Sequence, residues 1–195
     1  MIEIRTATLE DLPTVVDTAV RSLADEAMLH WSFGDERFAE RISAHFAHYD
    51  GENIERGWIR VAAGGAGIAV WIPPDGREDH EAIGAAPPGG EAEILGDHAT
   101  RHADFWTWVG EHEPPEPLLY LSHIGVAPER QGEGLGGALM RDGLSHADDR
   151  GVPTWLETSR VENVAYYERF GFRQVADEDA PDAGPHIWFM GRDPA

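Results

Sequence analysis

The chain of 195 residues contains no cysteine and no lysine. Without cysteine it can form no disulfide, no thiolate zinc site and no thiol nucleophile. Without lysine it cannot complete the Gly-Lys-Ser/Thr ending of a phosphate-binding P-loop. Positive charge is scarce: 15 arginines face 36 acidic residues, for a formal net charge of −21. A nucleic-acid partner needs a basic face to displace counterions, so none is expected. An anionic ligand would have to be held mainly by backbone amides. No apolar run approaches the roughly 18 residues of a membrane span. The opening MIEIRTATLEDLP reads as a strand and a helix start rather than a signal peptide, so no membrane partner and a cytoplasmic location are expected. Metal-ligand spacing is missing too. His98 and His102 form an i, i+4 pair without a glutamate at the zincin position or a third ligand, so no metal is expected. With no repeat and no long linker, residues 1–195 are expected to form a single domain, as a monomer or a homodimer. An arginine-only basic set with abundant Ala, Gly, Pro, Asp and Glu suggests a GC-rich or salt-adapted source.

What is present alternates between strand and helix patterns. Residues 2–5 alternate as a short strand, and Thr8 to Asp11 followed by Pro13 marks a helix start. Apolar residues at helical spacing predict a helix over 37–49. Residues 58–63 and 67–72 predict a hairpin that Pro73 and Pro74 terminate, followed by a polar loop over 75–90. Residues 91–112 read as one or two helices, 118–126 and 152–159 as strands, and 186–191 as a final strand. The fold class expected is α/β (α+β), a mixed, mostly antiparallel central sheet flanked by helices.

The most informative stretch is LLYLSHIGVAPERQGEGLGG, residues 118–137. A strand pattern ends at Pro128, and a glycine-rich turn opens directly into a helical pattern at Leu135. That order presents unpaired N–H groups at a helix N-terminus, where a diphosphate binds. Gly132, Gly134 and Gly136 alternate, so no Cβ blocks phosphate oxygens from the main chain. A dinucleotide-binding turn would require a parallel βαβ unit and an acidic residue about 20 residues on. Glu157 stands near that distance, but inside the next strand. Gln131, Gly134 and Gly136 fit Gln/Arg-x-x-Gly-x-Gly/Ala, and the segment resembles the pyrophosphate loop of the GNAT superfamily of acetyl-CoA-dependent N-acetyltransferases. A second block, ENVAYYERFGF at 162–172, is similar to the segment after the fifth strand of that family, with Asn163, Tyr167, Gly171 and Phe172 at its marked positions. LETSRVENVAYYERFGFRQVADEDAPDAGPHIWFM looks like the C-terminal segment of the puromycin N-acetyltransferase branch, with weaker echoes in IRTATLEDLP and AVWIPP.

The resemblance implies a GNAT-like sheet, acetyl-CoA as co-substrate and an amine acceptor. By the same resemblance the main chain of Ile124, Gly125 and Val126 holds the pantetheine arm and the acetyl group, with the Val126 amide placed to donate to the carbonyl. Gln131, Gly132, Glu133, Gly134, Leu135, Gly136 and Gly137 form the pyrophosphate loop, and Asn163 and Tyr167 lie along the cofactor. Tyr167 takes the role of general acid to the departing thiolate, since a phenol and a thiol have similar basicity; the alternative is that it only packs. Tyr166 is expected in the core. Glu157 stands where the ribosomal-protein branch places a catalytic glutamate, and a lone carboxylate in an apolar strand is costly unless paired or used. A structural pairing with an arginine is the alternative. His123 is a rival base, but resemblance to the arylalkylamine branch puts the base positions at Ser122 and Tyr120, and His123, one residue out of phase with them, faces away; a water relay through Ser122 or His123 stays open. Trp31, Phe33, Phe38, Phe105, Trp106 and Trp108, with Glu91, Glu93, Asp97 and Asp104, could wall a pocket for a cationic, partly aromatic small-molecule amine, or could be core stripe and solvated face. Two other functions remain open: acetylation of protein N-termini or side chains, and non-catalytic acyl-CoA binding.

Overall fold

Short β-branched runs, each followed by a helical stripe or a tight turn, assemble in this chain into one twisted sheet with helices on both faces. The computed structural model describes residues 2–78 and 95–195. Its strands are β1 (Ile4–Thr6), β2 (Ile59–Ala62), β3 (Gly67–Ile72), β4 (Leu119–Val126), β5 (Thr154–Thr158), β6 (Arg173–Asp179) and β7 (His186–Arg192). The helices are α1 (Leu12–Ser22), α2 (Ala27–Phe33), α3 (Phe38–Glu55), α4 (Ala99–Gly110), α5 (Leu135–Arg150) and α6 (Val161–Glu168). The sheet order is β1-β2-β3-β4-β5-β7-β6, and among the described residues every pairing is antiparallel except β4 with β5. This is the mixed, mostly antiparallel sheet that the alternation of patterns predicts. No described helix is long and apolar enough to cross a membrane.

Local chemistry sets the element ends. The Thr8 N–H donates to Asp11 Oδ2 at 2.8 Å, closing a capping box just before α1, whose first turn carries Pro13. Gly151, at φ +65°, ends α5 in the left-handed conformation that a helix C-terminus favours. Along β3 successive side chains face opposite layers. Ile68, Val70 and Ile72 pack toward α1, α3 and α4, while Ala69 and Trp71 pack toward α5. Helices on both faces explain why all six residues of β3 are buried. Truncating one such aliphatic side chain to alanine costs about 2–5 kcal/mol. On the α5 face, Trp71 fits because position 143 has no side chain: a Cβ there would lie 2.1 Å from Trp71 Cε2.

Two features of β4 position the site. Its register with β3 runs from Gly67↔Val126 to Val70↔His123 and then jumps to Trp71↔Leu121, so Ser122 is an extra, bulged residue. On its other side β4 pairs with β5 only at Leu119↔Thr154 and Tyr120↔Trp155. Beyond Tyr120 the two strands part.

Three elements differ from the sequence expectation. The helix expected over 37–49 continues through Glu55. The seven-residue α2 and the strand β6 were not anticipated. β6 is an outer strand with six of its seven residues exposed, so it shows no alternation of apolar and polar residues. Of the loop expected at 75–90, Pro74–Gly76 form a 3-10 turn and residues 77–78 are helical. The remainder of that loop and residues 91–94 of the expected helix lie outside the described residues.

Candidate active site

Where β4 and β5 part, a cavity of about 1330 Å³ opens between them. One end is built by the glycine turn. Gly132 and Gly134 hold φ of +83° and +82°, values that residues with a Cβ rarely adopt, and Gly134 is the residue that caps α5. Nothing lies within 4 Å of where a Cβ on Gly132 would stand. Gln131, Gly132, Gly134, Leu135, Gly136 and Gly137 all border the cavity. The helix N-terminus, with its unpaired amides, therefore adjoins open space of the kind a diphosphate occupies. Gly136 is small for another reason: a Cβ there would approach the Tyr166 hydroxyl to 3.1 Å. Glu133 does not border the cavity; its carboxylate accepts two hydrogen bonds from Arg130 at 2.7 and 2.8 Å. Gln131 Nε2 donates to the Val126 carbonyl at 3.3 Å, tying the loop to the strand.

Ile124, Gly125 and Val126 continue the wall along β4, and Asn163, Tyr166 and Tyr167 close it from α6. The Asn163 amide donates to Thr158 Oγ1 at 3.1 Å, which orients it at the end of β5. Tyr166 departs from its expected core position. It is half-buried, borders the cavity, and carries the Arg169 guanidinium over its ring at 4.8 Å. Arg141, one turn beyond Gly137 on α5, also borders the cavity. The sequence signal for it was available, because i and i+4 share one face of a helix.

The other end of the cavity is acidic and aromatic. Glu157 on β5 is 9% exposed; its Oε1 accepts a hydrogen bond from the Tyr120 hydroxyl at 2.7 Å, and its Oε2 has no hydrogen-bond partner among the described residues. Burial pushes its carboxyl up to about 8, against the opposing effect of the Tyr120 hydrogen bond. Tyr167 is 7% exposed, and burial raises its phenol above the ordinary value, so it is protonated throughout the neutral range. Glu26, before α2, reaches across from the other side of the chain and accepts a hydrogen bond from Ser159 Oγ at 2.8 Å; burial raises its carboxyl as well. Arg77 pairs with Glu113 and lies over the Tyr120 ring at 4.9 Å.

His123 is half-buried, and its expected direction is wrong. The bulge at Ser122 shifts the strand phase by one residue, so His123 borders the cavity together with Tyr120 and Ser122. Its ring packs on Phe46 and Tyr49 of α3, with centroids 5.2 and 6.0 Å away. Nε2 stands 3.3 Å from Oδ1 of Asp50, although among the described residues neither Asp50 oxygen accepts a well-directed hydrogen bond.

The aromatic wall is also different. Of the six aromatics considered from sequence, only Trp106 borders the cavity, while Phe33 and Phe105 are fully buried in the core. Asp104 does not border it, and Glu91 and Glu93 lie outside the described residues. The acidic groups present are Glu26, Glu113 and Glu157, joined by Tyr49, His45 and His102. Burial lowers the two imidazoles to about 3 and about 4, so both are neutral near pH 7. α3 contributes more than its apolar stripe foretold. The run Ile42, Phe46, Tyr49 and Asn53 keeps helical spacing on the buried side while turning polar, and that change was the signal.

Residues 66–172 match the acetyltransferase (GNAT) family. A mycothiol acetyltransferase of Paenarthrobacter aurescens is 36% identical over 86 residues, covering 42% of this chain and 24% of that protein. One from Gordonia bronchialis is 30% identical over 155 residues, covering 78% of this chain and 45% of that protein. The chain thus spans less than half the length of these curated relatives. A solved structure from Corynebacterium glutamicum, described as a histone acetyltransferase and related acetyltransferase, shares 24% identity over all of this chain and 97% of its own, with a TM-score of 0.71.

Proposed function

The chain belongs to the GNAT acetyltransferase family, and on that premise we propose that it transfers an acetyl group from acetyl-CoA to a primary amine of a small molecule. The observation that carries this reading is the joint placement of a glycine-capped helix N-terminus, a buried carboxyl and a buried phenol on one cavity. In this reading the turn at 131–137 and the first amides of α5 hold the diphosphate, with Arg141 and Arg169 adding positive charge. The main chain of Ile124 to Val126 holds the thioester and polarises its carbonyl. Glu157 takes a proton from the incoming ammonium, and a carboxyl raised to about 8 is matched to that task at neutral pH. The amine attacks the carbonyl carbon, the carbon–sulfur bond breaks, and the Tyr167 hydroxyl protonates the leaving sulfur.

A cationic acceptor is favoured by the carboxyl groups of Glu26, Glu113 and Glu157 at that end of the cavity. Within the family, the run from 156 to 190 supports an acceptor class like that of the puromycin branch. The names of the curated relatives, mycothiol acetyltransferases, support a small-molecule acceptor equally. A mass-spectrometric screen of an amine library with purified protein and acetyl-CoA decides the matter. Small amines are expected to gain one acetyl group. Labelling of peptide N-termini alone would make the acceptor a protein. Calorimetric binding of acetyl-CoA with no turnover would make the chain an acyl-CoA-binding module, and no binding of any CoA species would end the reading.

The loop itself is tested at Gly134. A valine there must adopt a left-handed backbone that β-branched residues avoid, at a cost of about 1–3 kcal/mol. Gly134→Val is expected to raise KM for acetyl-CoA about tenfold or more while leaving KM for the amine nearly unchanged. Equal rises in both would make this glycine a structural requirement only.

A further inference from the structure

Asp50 is fully buried, yet neither of its carboxylate oxygens receives a hydrogen bond from any described residue. A buried charge left in this condition is costly, and it is retained where a cation forms beside it. The group beside it is His123, whose Nε2 lies 3.3 Å from Oδ1. The other ring nitrogen of His123, Nδ1, lies 3.5 Å from Ser122 Oγ, and Ser122 Oγ lies 2.7 Å from the Tyr49 hydroxyl. Tyr49, Ser122 and His123 border the acceptor end of the cavity, while Asp50 stands behind them and does not. Four groups from α3 and β4 thus form one chain from the cavity into the core, and the bulge at Ser122 is what aligns them.

We propose that Tyr49, Ser122 and His123 form a proton relay leading away from the acceptor amine, with Asp50 as the positioning residue that prepares His123 to receive the proton. This rests on the acetyl-transfer reading given above. An ammonium acceptor loses two protons from nitrogen on becoming an amide. Glu157 takes one and returns it to Tyr167, whose own has gone to the leaving sulfur, and the relay carries the other out of the site. With its proton on Nε2, the nitrogen 3.3 Å from Asp50 Oδ1, His123 presents the Nδ1 lone pair toward Ser122. The Ser122 O–H then donates to Nδ1 and the Tyr49 O–H to Ser122 Oγ. As Tyr49 accepts the nitrogen proton its own passes to Ser122, that of Ser122 passes to Nδ1, and the imidazolium so formed neutralises Asp50. The imidazolium returns its proton to solvent when product leaves. The other titratable groups facing this chain include His45, stacked on Tyr49 at 5.4 Å, Tyr120, and Glu157 and Arg77, which act on Tyr49 from the cavity side.

The test uses Asp50→Asn and His123→Gln, alone and combined. Asp50→Asn is expected to lower kcat about tenfold with KM for acetyl-CoA unchanged, a partial loss of proton-transfer catalysis. In a His123→Gln background, Asp50→Asn should change kcat no further, since it acts through the imidazole. An unchanged kcat, or independent multiplication of the two effects, would overturn the proposal. Ring ¹⁵N shifts of the wild-type protein give a reading that needs no variant: the Nε2–H tautomer is expected, and the Nδ1–H tautomer overturns the chain. If the protein acetylates no amine, the acetyl-transfer reading fails on its own, while the tautomer still decides whether Asp50 holds His123.

Discussion

Tyr167→Phe is expected to lower kcat by about 10²–10⁴, the range for loss of one positioned proton donor, with acetyl-CoA affinity little changed. In transition-state terms this is about 3–5 kcal/mol. The substitution isolates the hydroxyl. The ring sits in the α5 and α6 layer, 5.9 Å from Phe172 and 5.3 Å from Tyr166, and those contacts survive in phenylalanine. A fall in kcat at constant KM for acetyl-CoA therefore reports the O–H and not the packing. Burial raises the phenol, so it enters the reaction protonated at any pH near neutrality. Its loss should not shift the pH–rate profile there, only scale it. Normal turnover in the variant would leave Tyr167 a packing residue.

Glu157→Gln is expected to lower kcat by a similar factor near neutral pH and, unlike the tyrosine change, to alter the shape of the profile. The wild-type carboxyl must be ionised to take a proton. With a value raised to about 8, kcat should climb as pH rises through that value and level off above it. The glutamine variant should lose this limb and recover partly at high pH, where the amine arrives already deprotonated. Stability gives an independent check. The folded state holds the Glu157 proton from the usual carboxylate range up to about 8, so wild-type stability falls as pH rises across that interval. Glutamine has no proton to lose, and its Oε1 can still accept from Tyr120. The variant should therefore show a higher Tm than wild type at pH 9 and no such advantage at pH 5. A glutamine variant with the wild-type pH–rate profile would remove Glu157 from the chemistry and leave it as a structural partner of Tyr120.

The parts of the site that lay open in the sequence are those where chemistry constrains consecutive residues. A backbone that must turn left-handed at Gly132 and Gly134 before a helix begins writes glycine into the chain at fixed spacing. Glu157 stands out because a carboxylate in the middle of β5 has no packing reason to be there. The parts that stayed hidden depend on pairing between distant segments. Nothing in LYLSHIGV marks Ser122 as an extra residue; only its register against β3 does, and that one shift reverses where His123 points. Asp50 reads as an ordinary polar residue just past the expected helix until α3 is laid on β4. Phe33 and Phe105 suit both a substrate wall and a core stripe by spacing, and helix packing places them in the core. Strand β6 escaped notice because an outer strand with both faces largely solvated has no period to read.

The early parting of β4 and β5 gives the sheet an interior seam that the outer strands lack. From Leu121 to Val126, β4 is hydrogen-bonded by β3 along one side only, so the peptide groups aimed the other way end at the cavity. An outer edge in this condition invites a second protein chain, but this one lies recessed between two halves of the sheet, where only something slender can reach it. The protein is a sheet left one partner short in its middle, and in the acetyl-transfer reading an extended, amide-bearing ligand would stand in for the missing length of strand.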